Sequence, residues 1–209
     1  MAKKKLKKRT KHKIQAVTKK MVQILFGVLI LYMAGQALTT SYRSTFNNQE
    51  NSEAEIESHG SFIETIAPIA QAMQERYGVR ASLSIAQAIL ESDWGTSDLA
   101  AQYNNLYGVK GGDGADVVAL ETQEFSEGEW ITIFANFKVY ESYAASIEDH
   151  ALLMVDGTTW NNELYHSVIE APTYQEAARA IHQAGYATDP DYPEKLIQVI
   201  EEYELYKYD

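Results

Sequence analysis

The sequence predicts an α+β domain, mainly helical, with one β-hairpin set into it. Three observations predict this. Apolar residues recur at helical spacing over most of residues 61–209. The period changes to β-branched and aromatic residues only between Val117 and Tyr140. The 149 residues of that span suffice for one compact core.

The segments before that span read differently. Residues 1–20 carry ten of the 18 Lys+Arg and no acid. Met21–Leu38 (MVQILFGVLILYMAGQAL) then holds 18 residues without a charge. As a helix it would be about 27 Å long against a hydrocarbon core of ~30 Å, so the sequence predicts a single transmembrane anchor at 21–38. The basic block should stay cytoplasmic and send the rest outside the cell. Gly35-Gln36-Ala37 also offers a small-x-small cleavage site, so a cleaved signal is the alternative. Residues 39–60 are polar, acidic towards their end and without an apolar period. They read as a flexible linker with ends about 25 Å apart, or as a linker with a short solvated helix at 50–58.

Within 61–209, Phe62, Ile66, Ile69, Ala70 and Met73 share one helical face, and Gly78 stops that helix. The next helix is expected to open at Ser82 as N-cap and to run through LSIAQAILESDW to Gly95. Val117–Phe125 and Trp130–Tyr140 read as two strands joined at Ser126–Glu129. Helical patterns return at 143–155, at about 162–169, at 174–184 closed by Gly185, and at 192–204.

Composition removes several function classes. Residues 21–209 hold 8 basic against 29 acidic groups, a net charge of -21, which disfavours sequence-independent nucleic-acid binding. With no Cys there is no disulfide framework, thiolate metal site or cysteine nucleophile. His12, His59, His150, His166 and His182 show no metal-ligand spacing, and Asp113-Gly114-Ala115-Asp116 lacks the alternation of a calcium loop. No nucleotide-binding or nucleophile-elbow motif occurs, so no cofactor or metal is expected.

The chemistry concentrates at Ile85-Ala86-Gln87-Ala88-Ile89-Leu90-Glu91-Ser92-Asp93-Trp94-Gly95. Glu91 ends an apolar helical run, and the negative end of a helix disfavours a second negative charge there. Trp94, three residues on, shares its face at helical spacing and would strip water from the carboxyl. Both effects raise a carboxyl pKa, as a general acid near neutral pH requires. On spacing alone, a surface glutamate at a frayed helix end fits equally.

SIAQAILESDWGTSDLA, NNLYGVKG, ETQEFSEGEWITIFANFKVYESYAASIEDHALLM and GYATDPDYPEKL follow one another in order. Across essentially all of 61–209 they resemble glycoside hydrolase family 73. That family comprises the endo-β-N-acetylglucosaminidases of bacterial cell walls, among them autolysins and the flagellar peptidoglycan hydrolase. The resemblance implies a lysozyme-like fold, a cleft with a hairpin lobe on one side, peptidoglycan strands as substrate, and cleavage of the β-1,4 bond between N-acetylglucosamine and N-acetylmuramic acid. It also implies Glu91 as the acid, Glu124 in Thr122-Gln123-Glu124-Phe125 as a second carboxylate, and Tyr186 lining the cleft. Strand alternation puts Val118, Leu120, Thr122 and Glu124 on one face and Glu121 on the other. Trp94, Tyr192, Asn104, Asn105 and Tyr107 are expected at the substrate, with loop shaping as the alternative role for the two Asn and Tyr107. A lytic transglycosylase and an inactive wall-binding or division scaffold are the rival readings.

Overall fold

The computed structural model describes residues 53–209 except 113, 115, 127 and 128, and of residues 122–131 it describes the backbone alone. The basic segment 1–20, the expected anchor at 21–38 and residues 39–52 of the expected linker lie outside the described residues. Among the described residues, no helix is long and apolar enough to cross a membrane. A compact unit spans Ser58–Asp209.

The first helix, α1, spans residues 53–77, so its opening two turns occupy the end of the segment read as linker. It ends at Gly78, whose φ of +77° is a left-handed conformation that glycine adopts without a Cβ penalty. Then come α2 (Ala81–Ser92), α3 (Asp98–Tyr103), the hairpin β1 (Val117–Ser126) and β2 (Glu129–Lys138), α4 (Tyr143–Asp156), α5 (His166–Ile169), α6 (Tyr174–Gln183) and α7 (Tyr192–Glu202), with a closing 3₁₀ turn at Leu205–Tyr208. The fold is mainly helical with one small antiparallel sheet.

The hairpin register runs from Val117 opposite Lys138 to Ser126 opposite Glu129, one pair closer to the turn than the sequence suggests. Its base is sewn to the loop that follows α3: Gly111 N–H donates to Asn136 O (2.9 Å) and Lys138 N–H to Val109 O (2.9 Å). On its exit, Lys138 Nζ and Tyr140 OH both reach Asp149 Oδ2 on α4, at 2.9 and 2.6 Å.

One element escaped the periodicity and one is shorter than it suggested. Helix α3 is short, yet its signal was present: Ser97 caps it by accepting from Ala100 N–H, and Asp98 sits in its positive first turn. Helix α5 is shorter than expected, because residues 158–163 spend their polar groups on local turns. Thr158 and Asn161 form an isolated bridge, and Asn161 Oδ1 accepts from Glu163 N–H at 3.1 Å.

The core is built around α2. Every residue from Ala81 to Ile89 is buried, and Ile66 of α1, Leu106, Ile147 and Met154 of α4, Ile181 of α6 and Leu196 of α7 belong to the same buried cluster. A helix without a solvent face must be apolar nearly all round, as this one is. Its start departs from expectation. Ser82 is not the N-cap; Arg80 holds that position with no side-chain cap. The unpaired amides are met from elsewhere, Ala81 N–H by Gln74 Oε1 (2.6 Å) and Ser82 N–H by Asp209 Oδ1 (2.8 Å). Ser82 Oγ donates to the other Asp209 oxygen (2.8 Å), which Arg80 also approaches at 3.4 Å. A carboxylate at the positive end of a buried helix is favoured by both bonds and dipole.

That arrangement gives a stability prediction. Asp209→Ala removes the acceptor from a buried amide, a buried hydroxyl and a guanidinium, and is expected to cost about 1–3 kcal/mol. Ser82→Ala loses one of these bonds and should cost less. Urea unfolding measures both; an unchanged midpoint for Asp209→Ala would show that packing alone holds the start of α2.

Candidate active site

Helix α2 ends abruptly one residue after Glu91. Asp93, Trp94 and Gly95 have φ of 50°, 59° and 75°, three left-handed residues in succession. Two of them carry side chains and are strained in that conformation. The turn is held by Asp93 and Trp94 N–H, both donating to Ile89 O, and by Gly95 N–H donating to Ser92 Oγ at 2.7 Å. Gly95 is obligatory twice over, since a Cβ there would also lie 2.7 Å from the Phe62 ring. Glu91 is thereby fixed in the last turn.

It opens into a groove of about 760 Å³. Leu90 and Glu91 form one part of the lining, the loop Tyr107–Lys110 another, with Leu153 and Tyr165 beside them. Ala187, Thr188 and Asp189, with Tyr186, Tyr192 and Lys195, complete it. Gly108 has φ +63° and open space where a Cβ would stand, so the loop stays low where it borders the groove.

The Glu91 side chain is open to solvent along the groove, while the protein around it displaces much of its hydration. That desolvation pushes its pKa up, and a hydrogen bond from Tyr192 OH to Oε1 (2.8 Å) pulls down against it. Tyr192 is itself buried at the start of α7, with its phenol held well above the ordinary range by burial and by the nearby carboxyl. Tyr186 packs 6.2 Å from Tyr192 with rings nearly parallel, and edge-on to Tyr165 and His150. Burial raises its phenol too, so it meets the groove as a neutral hydroxyl and an aromatic edge. Tyr107 lies beneath, stacked on His150 at 3.9 Å, its hydroxyl engaged with Ser84 Oγ at 2.9 Å. His150 is fully buried and burial lowers its pKa to about 3, so this platform is uncharged.

The groove thus gathers Glu91, Tyr107, Tyr186 and Tyr192. Three other expected substrate residues are elsewhere. Trp94 does not cover Glu91. The left-handed turn carries it off the helical face, and it lies flat on His59 with centroids 3.6 Å apart, Tyr203 and Phe62 edge-on around it. Asn104 caps α3 in a left-handed conformation and donates to Tyr140 O (2.9 Å). Asn105 is buried and bonded three times to backbone: to Val109 O, Lys138 O and Val109 N–H. Both Asn side chains shape the loop and tie it to the hairpin, which leaves them little to offer a sugar. Glu124 sits in β1 opposite Ile131, but its side chain lies outside the described residues.

Sequence reasoning missed four groups here. Lys110 and Lys195 bring positive charge to the groove of an acidic domain, and Asp189 pairs with Lys195. Gln87 donates from beneath to Tyr192 OH at 3.4 Å. A polar residue four positions before Glu91, inside an otherwise apolar run, was the available signal.

Comparison with known proteins follows the same outline. Residues 67–205 match the family described as Glucosaminidase, mannosyl-glycoprotein endo-beta-N-acetylglucosaminidase. The exo-glucosaminidase LytG of Bacillus subtilis is 43% identical over all of this chain and 70% of its own length. A probable N-acetylmuramidase of Lactococcus lactis subsp. cremoris is 36% identical over 98% of this chain and 46% of its own. The catalytic domain of the autolysin Auto from Listeria monocytogenes superposes with a TM-score of 0.68 at 34% identity, covering 77% of this chain and 97% of that one. The glycoside hydrolase domain of FlgJ from Salmonella typhimurium does so at 0.56 and 33%, covering 70% and 97%. With sequence, fold and an acid-bearing groove in agreement over the same residues, this chain belongs to the glucosaminidase family of peptidoglycan hydrolases.

Proposed function

We propose that the domain hydrolyses the β-1,4 bond on the reducing side of N-acetylglucosamine in peptidoglycan, with Glu91 as general acid. The observation that carries this reading is the placement of Glu91. It is a carboxyl at the end of a buried helix, opening into a groove, with its pKa raised by desolvation. Environment-driven elevation of one carboxyl is the logic by which lysozyme obtains its acid.

In this reading the protonated Glu91 gives its proton to the glycosidic oxygen as the bond to the anomeric carbon breaks. Positive charge then develops on the sugar ring. It is met by the Glu124 carboxylate acting through water or by the carbonyl oxygen of the substrate's own N-acetyl group, and water finally attacks the anomeric carbon. Tyr186 supplies a neutral hydroxyl and an aromatic edge to the ring.

The relatives bear names of two bond specificities, glucosaminidase and muramidase, and the Bacillus relative's name specifies exo attack. The four sequence blocks favour the glucosaminidase bond and internal cleavage. Digesting purified peptidoglycan, reducing the products with borohydride and reading them by mass spectrometry should show new ends in reduced N-acetylglucosamine. Reduced N-acetylmuramic acid would mean a muramidase, and anhydro-muramic ends a lytic transglycosylase. Early products of many lengths indicate internal attack, and small fragments from the first time point indicate exo attack.

Glu91→Gln keeps the shape and loses the proton, and kcat should fall ~10²–10⁴-fold while substrate still binds. Near-normal turnover in that variant would remove Glu91 from the mechanism. Glu124→Gln should be comparably severe if that carboxylate activates the water and mild if the N-acetyl group does its work. Glu121→Gln, on the opposite strand face, should change little.

The catalytic body is proposed to work outside the cytoplasm, tethered through residues 21–38. The expected result is that the full chain sediments with membranes and resists carbonate extraction. Mature protein beginning at Leu38 in the medium would show a cleaved signal instead.

A further inference from the structure

The face of α2 that turns towards the groove carries Ser84, Gln87 and Glu91, spaced as residues that stack along one side of a helix. Ser84 is satisfied by Tyr107. Gln87 is the odd member. It is 0% exposed, and its Oε1 is buried without a hydrogen-bond partner. Leaving a buried acceptor unmade is costly, whereas an apolar side chain of similar size would fill the same space without that penalty. Packing therefore does not account for a glutamine here.

Its other end does. Gln87 Nε2 faces Tyr192 Oη at 3.4 Å, and Tyr192 Oη faces Glu91 Oε1 at 2.8 Å. An amide NH₂ can only donate, so the phenol oxygen accepts from Gln87, and its single proton is left for Glu91. We infer that Gln87 is a positioning residue for catalysis: by donating to Tyr192 it commits the tyrosine proton to Glu91 Oε1, so that the transferable proton resides on Oε2. This rests on Glu91 being the acid. As Oε2 gives its proton to the leaving oxygen, the carboxylate formed is already held by Tyr192, whose O–H stays intact. The charge that develops on Glu91 is thus met by a donor that needs no reorientation. Other described ionisable groups lining the groove are Lys110 from the loop, Asp189 and Lys195 near α7, and the phenols of Tyr107, Tyr165 and Tyr186.

The test is the pH dependence of kcat/KM, whose alkaline limb reports the acid of the free enzyme. The Tyr192 bond lowers the Glu91 pKa, so its loss must move that limb upward. Tyr192→Phe is expected to shift it by about one pH unit and lower kcat about tenfold. Gln87→Leu and Gln87→Met should shift it the same way by about half that amount, because the phenol is then free to turn. Their melting temperatures should equal or exceed that of the parent, since the orphaned carbonyl is gone. The double variant Gln87→Leu, Tyr192→Phe should match Tyr192→Phe alone, as Gln87 acts only through the phenol. A parental limb in folded Gln87→Leu and Gln87→Met, or additive effects in the double variant, would overturn the inference. If Glu91→Gln retained activity, the assignment of the acid itself would fall instead.

Discussion

The rest of this structure depends on the burial of α2. From Ala81 to Ile89 the helix has no solvent face, so its polar groups can find partners only inside the protein, and the partners found here tie distant pieces of chain to it. Asp209 holds its first turn, Tyr107 takes Ser84, Tyr192 takes Gln87, and Ser92 bonds its own backbone and the turn that follows. Asp209, the groove loop and α7 are thereby brought to one helix. Once these are in place, the groove lies where they converge, at the end of α2.

The same burial sets the chemistry. A carboxyl at the solvated end of an ordinary surface helix would stay ionised at neutral pH. Glu91 is at the end of a helix whose surroundings are protein, so its charged form is disfavoured and its proton is held further up the pH scale. One phenol moderates that effect and also points the carboxyl. Strain is spent on stopping the helix close to Glu91: Asp93 and Trp94 both adopt left-handed backbone, where side chains are disfavoured, just beyond it. The stacking of Trp94 on His59 packs that turn against α1.

How much was legible in the sequence follows from which signals are local. The helical class, the hairpin, the position of Glu91 in a last turn and the presence of Tyr186 in the groove all rest on periodicity, stop signals or contiguous blocks, and those are local. Trp94 misled because helical spacing predicts a shared face only while the helix continues. Two left-handed residues are enough to break that geometry, and nothing in Asp93-Trp94 announces them. Asn104 and Asn105 were left open between substrate contact and loop shaping for another reason. An amide that can bind an acetamido group can equally bind a backbone carbonyl, and Asn105 has three backbone partners within reach. Ser82 had the composition of a cap, but the cap came from Gln74 and from Asp209, 127 residues away in sequence.

His150 shows why residue type alone is a poor guide to which group governs the pH response of such a site. An imidazole one ring away from Tyr186 is the natural suspect for a titration near neutrality. Here it is enclosed between Tyr107 and Tyr186, neither ring nitrogen has a hydrogen-bond partner among the described residues, and burial holds its pKa at about 3. Protonating it would place a poorly solvated cation under the groove, so it is neutral around neutral pH. Its contribution is shape: a flat, uncharged support on which Tyr107 stacks and against which Tyr186 packs edge-on under the groove. Glu91 therefore faces a floor whose charge does not change as neutral pH is crossed.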